Sequence, residues 1–219
     1  MSYILWRKKL SVGGLLYVIL DKEIIERNKI DIFSLAEKLS LCKIDIFQFR
    51  FKDNLDRENL VIAQRLSHIM HRRKKMFIVN DRVDIACLSG ADGVHLGAED
   101  LGVREARKLL GKRKIIGKTV HSKEEFRRFL SQKVDYLSIG PLFKTPTKPF
   151  LSPWNINLLK RLIKEVKKVL FAIGGIDLIN LSKVVNVGIN NVAVCRGIIL
   201  SNNFKDTVER FKLCLKKAC

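Results

Sequence analysis

Eight times along this chain a short β-branched or apolar run is followed by a stretch with helical periodicity. The runs are residues 16–20, 44–49, 76–79, 93–96, 114–118, 136–140, 169–175 and 191–195. Behind them apolar residues recur at helix-like intervals, as in Ile32, Leu35 and Leu39, or Leu60, Ala63, Leu66 and Met70. The spacing predicts helices over 57–74, 83–88, 103–110 and 156–168. Others open at Ser122, with Glu125 completing a capping box, at Asp177 and at about Lys205. Strands that alternate with helices pair in parallel through right-handed crossovers. Eight short, evenly spaced units with no linker between them fit a single-domain (β/α)8 TIM barrel over residues 1–219 better than an open sheet. A dinucleotide-binding open sheet would want G-x-G-x-x-G after its first strand, and that motif is absent there.

Charge narrows the class of ligand. Lys and Arg number 42 against 22 Asp and Glu, an excess of +20, which attracts something anionic: nucleic acid, a membrane surface or a phosphorylated substrate. No apolar run reaches the roughly 18 residues of a membrane helix, so no membrane role is expected. Arg7-Lys8-Lys9 and the apolar stretch at 10–20 imitate a short signal peptide, but the stretch ends in Asp21-Lys22-Glu23 without a small-residue cleavage site. Cys42, Cys87, Cys195, Cys214 and Cys219 are odd in number and scattered, without C-x-x-C or metal-ligand spacing. Most are expected to be small buried residues of a cytoplasmic protein.

In a barrel of this kind the strand C-termini carry the chemistry. The second strand ends in Gln48, Arg50 and Lys52, which alternate and therefore share one face. Two cations and an amide aimed together make an anion cradle; on an edge strand they would be a solvated face. The third strand runs into Asn80, Asp81 and Arg82, the fourth into Glu99 and Asp100. Parallel neighbours bring Asp81 and Asp100 to one rim, where two carboxylates beside phosphate oxygens suit Mg2+; capping of the following helices is the competing role. After the sixth strand, Lys144, Thr145, Thr147 and Lys148 in a Pro-stiffened loop suit phosphate contacts, or form an ordinary exposed turn. Gly174-Gly175 and Cys195-Arg196-Gly197 end the seventh and eighth strands, where such barrels bind phosphate through backbone amides. His68 and His71 fall on a basic helix, His95 inside a strand, and His121 near the rim without an evident partner.

Taken in order, YVILD, QFRFKD, VNDRVDIA, GADGVHLGAEDL, IGKTVHS, VDYLSIGPLFKTPTK, AIGGI and VAVCRGI resemble the thiamine phosphate synthase family, also called thiamine-phosphate pyrophosphorylase. The resemblance runs from about Leu16 to Ile199 and is most specific between Val79 and Leu101. It implies a (β/α)8 enzyme that joins 4-amino-5-hydroxymethyl-2-methylpyrimidine diphosphate to a thiazole phosphate with Mg2+, giving thiamine phosphate and pyrophosphate. By position it implies that Gln48 meets the aminopyrimidine and that Arg50, Lys52, Asn80 and Lys148 hold the diphosphate. It likewise implies Asp81 and Asp100 as magnesium ligands, Thr119 near the leaving group, and Thr145 and Thr147 as a threonine pair. Gly175, Cys195 and Arg196 fall where the thiazole phosphate binds. Ala98, Lys144 and Arg196 depart from the residues usual there, glutamine, proline and serine.

Two rivals differ in kind. A thiazole tautomerase of the same fold tends to lose the amide, cations and acids retained here at Gln48, Arg50, Lys52, Asp81 and Asp100, and to carry histidine in place of Pro141. A nucleic-acid-binding barrel would use the basic clusters at 71–75, 112–114 and 160–168, but these lack aromatic interleaving and any RNA-binding signature. Small-molecule partners, no nucleic acid and an open question of homo-oligomerisation follow.

Overall fold

The structure is a computed structural model that describes residues 3–216; Cys219 lies outside them. Its eight strands are β1 (Leu16–Asp21), β2 (Ile46–Arg50), β3 (Met76–Asn80), β4 (Gly93–Leu96), β5 (Ile115–Val120), β6 (Tyr136–Ile139), β7 (Val169–Ile173) and β8 (Val192–Val194). Each pairs in parallel with the next, and β8 returns to β1, so the sheet closes into a barrel. The helices are α1 (Tyr3–Leu10), α2 (Lys22–Arg27), α3 (Ile32–Ser40), α4 (Asp56–Arg72), α5 (Val83–Leu88), α6 (Val103–Leu110), α7 (Lys123–Leu130), α8 (Ile156–Leu162), α9 (Leu181–Val187), α10 (Arg196–Ile199) and α11 (Phe204–Lys216). None is long and apolar enough to cross a membrane.

Side-chain alternation sorts the strand residues into two layers. Leu16, Val18 and Leu20 face the helices, whereas Tyr17 and Ile19 face the barrel interior with Ile46, Met76, Ile78, Ile115, Tyr136, Phe171 and Ala193. The interior accommodates Tyr136 only because residue 117 is glycine: a Cβ there would stand 2.1 Å from the Tyr136 ring. Helix α1 closes the N-terminal mouth, with Trp6 and Leu10 buried in the interior cluster.

Each even-numbered strand is preceded by a side chain that clasps the start of an odd-numbered one. The Leu16 amide donates to Asp45 Oδ2 (3.0 Å), the Phe77 amide to Asp92 Oδ2 (2.8 Å), the Ile116 amide to Asp135 Oδ2 (2.9 Å) and the Leu15 amide to Asn191 Oδ1 (3.0 Å). The three carboxylates also meet cations or a histidine from the surrounding helices: Lys212 at 2.7 Å, His71 at 3.0 Å and Arg107 at 2.9 Å. Burial pushes the Asp45 carboxyl up, but Lys212, the Leu16 amide and Lys9 outweigh it and hold the group below its usual range.

Several elements differ from the sequence reading. The basic triplet at 7–9 belongs to α1, whose Tyr3 and Arg7 reach Asp135 at 3.1 and 3.5 Å. Helix α2 follows β1 without a loop, because Asp21 both ends the strand and caps the helix at the Ile24 amide. Helix α9 starts at Leu181 instead of Asp177. Asp177 Oδ1 accepts from the Ile179 and Asn180 amides, and the turn this makes delays the helix. The stretch at 156–168 yields α8 and one 3-10 turn before β7. The cysteines are not core residues as expected: Cys87 is exposed, and Cys42, Cys195 and Cys214 are half-buried.

Asp135→Ala leaves the Ile116 amide and the Arg107 guanidinium without their carboxylate, and should lower unfolding free energy by about 2–4 kcal/mol in chemical denaturation. The cavity lies at the other end of the strands, so ligand affinity measured on the folded variant should stay unchanged.

Candidate active site

A cavity of about 820 Å³ opens at the C-terminal ends of the strands. All the site residues taken from the sequence line it: Gln48, Arg50, Lys52, Asn80, Asp81, Asp100, Thr119, Thr145, Thr147, Lys148, Gly175, Cys195 and Arg196. They arrive from loops and strand ends more than a hundred residues apart, and barrel closure alone makes them neighbours.

Gln48 is buried on β2, its amide nitrogen donating to the Tyr17 hydroxyl at 2.8 Å. Arg50 lies across from Asp21 in the β1–β2 register and forms an ion pair with it at 2.5 Å. Asp21 was not singled out from the sequence; the signal was an acid at the end of β1, in register with Arg50 on the adjacent strand. Lys52, beyond the strand end and half exposed, bonds Asp81. Arg82 turns outward to Asp84 (2.6 Å) and Asp56, away from the cavity.

Asp81 and Asp100 converge as expected. Asp81 has φ +62°, a left-handed backbone uncommon for any residue but glycine, asparagine and aspartate. Neither acid caps a helix: the residues at the starts of α5 and α6 are Arg82 and Gly102, without side-chain caps. Asp100 Oδ2 instead accepts from the Gly97 amide at 2.5 Å, and the Gly97 carbonyl is held by the ammonium group of the buried Lys118. A Cβ on Gly97 would stand 3.1 Å from Asp100 Oδ2 and 3.9 Å from Asp81 Oδ1, so the loop passes beside both acids. Burial, then the neighbouring Asp100, push Asp81 up to about 6. Burial also raises Asp100, but Asp81, the Gly97 amide, Lys52 and Lys118 outweigh it and hold that carboxyl low. The pair therefore keeps one proton, on Asp81, above the ordinary carboxylate range. Two crowded acids with no third His, Cys, Asp or Glu in reach among the described residues suit a hard cation that draws its remaining ligands from water and substrate oxygen.

Across the rim, Lys148 lies 3.3 Å from His121 Nε2, and His121 Nδ1 donates to the Gly140 carbonyl at 2.6 Å. His121 thus has a partner that sequence spacing did not reveal. Burial, with Arg50 and Lys52 nearby, holds the Lys148 ammonium below its usual range. Three cations that repel one another around a partly dry space make a receptor for a polyanion. On the β7–β8 side, Gly174 (φ +94°) and Gly175 (φ +66°) bend the chain beside the cavity, and a Cβ at Gly175 would meet the Lys144 carbonyl at 2.6 Å. Burial pushes the Cys195 thiol up to about 12, so it is no thiolate nucleophile. Burial pushes His95 down to about 3, so its imidazole is neutral.

A carboxyl with a raised folded-state value favours the folded protein while it is protonated. That contribution is present below about pH 4 and is lost as pH rises towards about 6. Asp81→Asn keeps a side chain tolerated at this backbone angle and removes the penalty. In chelator, the variant should melt above the native protein near pH ~7.5, and the gap should close as pH falls to ~4.

Comparison with known proteins places this arrangement. The family model described as thiamine monophosphate synthase matches residues 16–198, from β1 into α10. A thiamine-phosphate synthase of Prochlorococcus marinus subsp. pastoris is 39% identical over 176 residues, 80% of this chain and 50% of that protein. One from Persephonella marina is 36% identical over 197 residues, 90% of this chain and 93% of that protein. The solved thiamine phosphate pyrophosphorylase of Pyrococcus furiosus superposes with a TM-score of 0.81 at 30% identity, over 97% of this chain and 98% of that one. The chain spans about half the length of the first curated relatives it matches. On the matched barrel, from its first strand to its last, the chain belongs to the thiamine monophosphate synthase family.

Proposed function

We propose that this barrel joins 4-amino-5-hydroxymethyl-2-methylpyrimidine diphosphate to a thiazole phosphate, yielding thiamine phosphate and pyrophosphate. The observation that carries the reading is the convergence of Arg50, Lys52 and Lys148 beside the Asp81–Asp100 pair in one cavity. A diphosphate with a divalent cation satisfies both halves at once: its oxygens relieve the repulsion among the cations, and its cation relieves that between the acids. Asp81 and Asp100 would hold magnesium, which when bound neutralises charge on the diphosphate.

The side chains then do the rest. Gln48 orients the aminopyrimidine, while Arg50, Lys52, Asn80 and Lys148 grip the diphosphate and stabilise the charge it gains as its bond to the pyrimidine methylene breaks. The aminopyrimidine delocalises the resulting cation, so no protein nucleophile is needed; a protonated Cys195 and a neutral His95 accord with that. Thr119 faces the departing group, and Thr145 and Thr147 line the same side. Gly175, Cys195 and Arg196 hold the phosphate of the thiazole and aim its ring nitrogen at the carbon. One domain carries both substrate sites, and we place the protein in the cytoplasm with small molecules as its partners.

Purified protein incubated with both substrates and Mg2+ should release thiamine phosphate, seen by chromatography; no product would overturn the reading. Asp81→Ala should abolish Mg2+-dependent turnover, and full activity in that variant would remove the metal assignment. Arg50→Ala should lower kcat/KM for the diphosphate substrate about a hundredfold.

A further inference from the structure

The floor of the cavity holds polar groups that these roles leave unused. Tyr17, Tyr136 and His95 are buried in the barrel interior and link Gln48 to Thr119 in one unbroken chain. Gln48 Nε2 donates to the Tyr17 hydroxyl (2.8 Å), the Tyr17 and Tyr136 hydroxyls lie 3.1 Å apart, Tyr136 Oη is 3.0 Å from His95 Nδ1, and His95 Nε2 is 2.6 Å from Thr119 Oγ1. Both ends line the cavity. Both ring nitrogens of His95 face hydroxyls, not carboxylates.

Proton counting gives this chain a direction. Each hydroxyl has one proton, and a neutral imidazole has one N–H. Because Tyr17 accepts from Gln48, its own proton goes to Tyr136, and the Tyr136 proton goes to His95 Nδ1. His95 is then the Nε2–H tautomer and donates to Thr119, whose hydroxyl proton is left free to point into the cavity. Run the other way, the chain would turn the Thr119 proton onto His95 and present lone pairs to an incoming anion.

We propose that Tyr17, Tyr136 and His95 are positioning residues that make Thr119 a hydrogen-bond donor to the departing diphosphate by fixing the His95 tautomer. The proposal rests on the reaction assigned above and extends it. An amino-substituted ring that donates to Gln48 Oε1 holds the amide nitrogen on Tyr17, so recognition of the ring at one end of the chain sets the donor at the other. Tyr136 also packs its ring on His95 at 5.6 Å and against Phe171 at 5.2 Å, contacts that Tyr136→Phe preserves.

The test combines a measurement without turnover and one with it. Nitrogen-15 NMR of histidine-labelled native protein should show His95 protonated at Nε2 and bare at Nδ1; the opposite tautomer would overturn the proposal. Tyr136→Phe should disturb that tautomer and lower kcat about tenfold, with KM for the thiazole phosphate unchanged. His95→Gln, which can set an amide N–H at the Nε2 position, should restore most of the kcat lost in His95→Phe. In a double-mutant cycle, His95→Phe and Thr119→Val should each cost roughly ten- to hundredfold in kcat and together no more than either alone. Full additivity would mean that His95 does not act through Thr119. If the native protein makes no thiamine phosphate, the reaction reading fails by itself, while the tautomer still decides the sense of the chain.

Discussion

Closure of the sheet is the constraint from which everything else in this molecule follows. β1 must accept β2 on one side and β8 on the other, and the Leu16–Val192 register that completes the circle joins residues at opposite ends of the chain. Backbone pairing does not by itself fix where each strand starts. Asp45, Asp92, Asp135 and Asn191 supply that information by bonding amides at the first residues of β1, β3 and β5 or just before them. Register in a parallel sheet moves every side chain to the other face if it slips by one residue. The clasps at the bottom of the barrel thus reinforce the ladder register that places Gln48, His95 and Thr119 inside at the top. The helices reinforce them with Lys212, Arg107 and His71, and α1 seals the mouth over them.

With the bottom satisfied, the top can remain unsatisfied. There Asp81 adopts a left-handed backbone and keeps a proton that an exposed aspartate would lose, and Lys148 is crowded by two other cations. These are costs that only a bound, highly charged ligand removes, which is the usual signature of a binding site built into a stable frame. The frame also holds individual parts of the site. Lys22, buried on α2, reaches Asp53, Glu58 and Asn59 and so anchors the segment that follows Lys52. Lys118, buried beneath α7 with its ammonium 5.0 Å from the Phe129 ring, fixes the Gly97 carbonyl in the loop that presents Asp100.

The barrel and the residues around its cavity were legible in the sequence because both obey short-range rules. Period-two alternation gave the strands and put Gln48 and Arg50 on one face; strand order put Asp81 beside Asp100. What was not legible depends on contacts across the chain. Asp21 reads as a strand-ending acid until the β1–β2 register sets it opposite Arg50. His121 looks isolated until the loop after β6 brings Lys148 and Gly140 to its two nitrogens. Helix α1 was obscured because a basic triplet before an apolar run is also how an export signal is written; its place under the barrel rests on Trp6 and Leu10 packing into the interior. The delayed start of α9 comes from Asp177, which has the look of a helix start in sequence but closes a turn.

The excess of +20 charges finally divides by what each cation faces. Lys22, Arg107 and Lys212 are consumed in holding acids of the frame; Lys52 and Arg50 each share a carboxylate at the rim. Arg27 and Lys43 pair with acids on open surface, where screening leaves such contacts little weight. Lys148 differs from all of these: half-buried, it meets a histidine and two like charges. Net charge would have pointed equally to a nucleic acid. A half-buried cation that its own protein leaves under-neutralised points inward, to an anion small enough to enter 820 Å³.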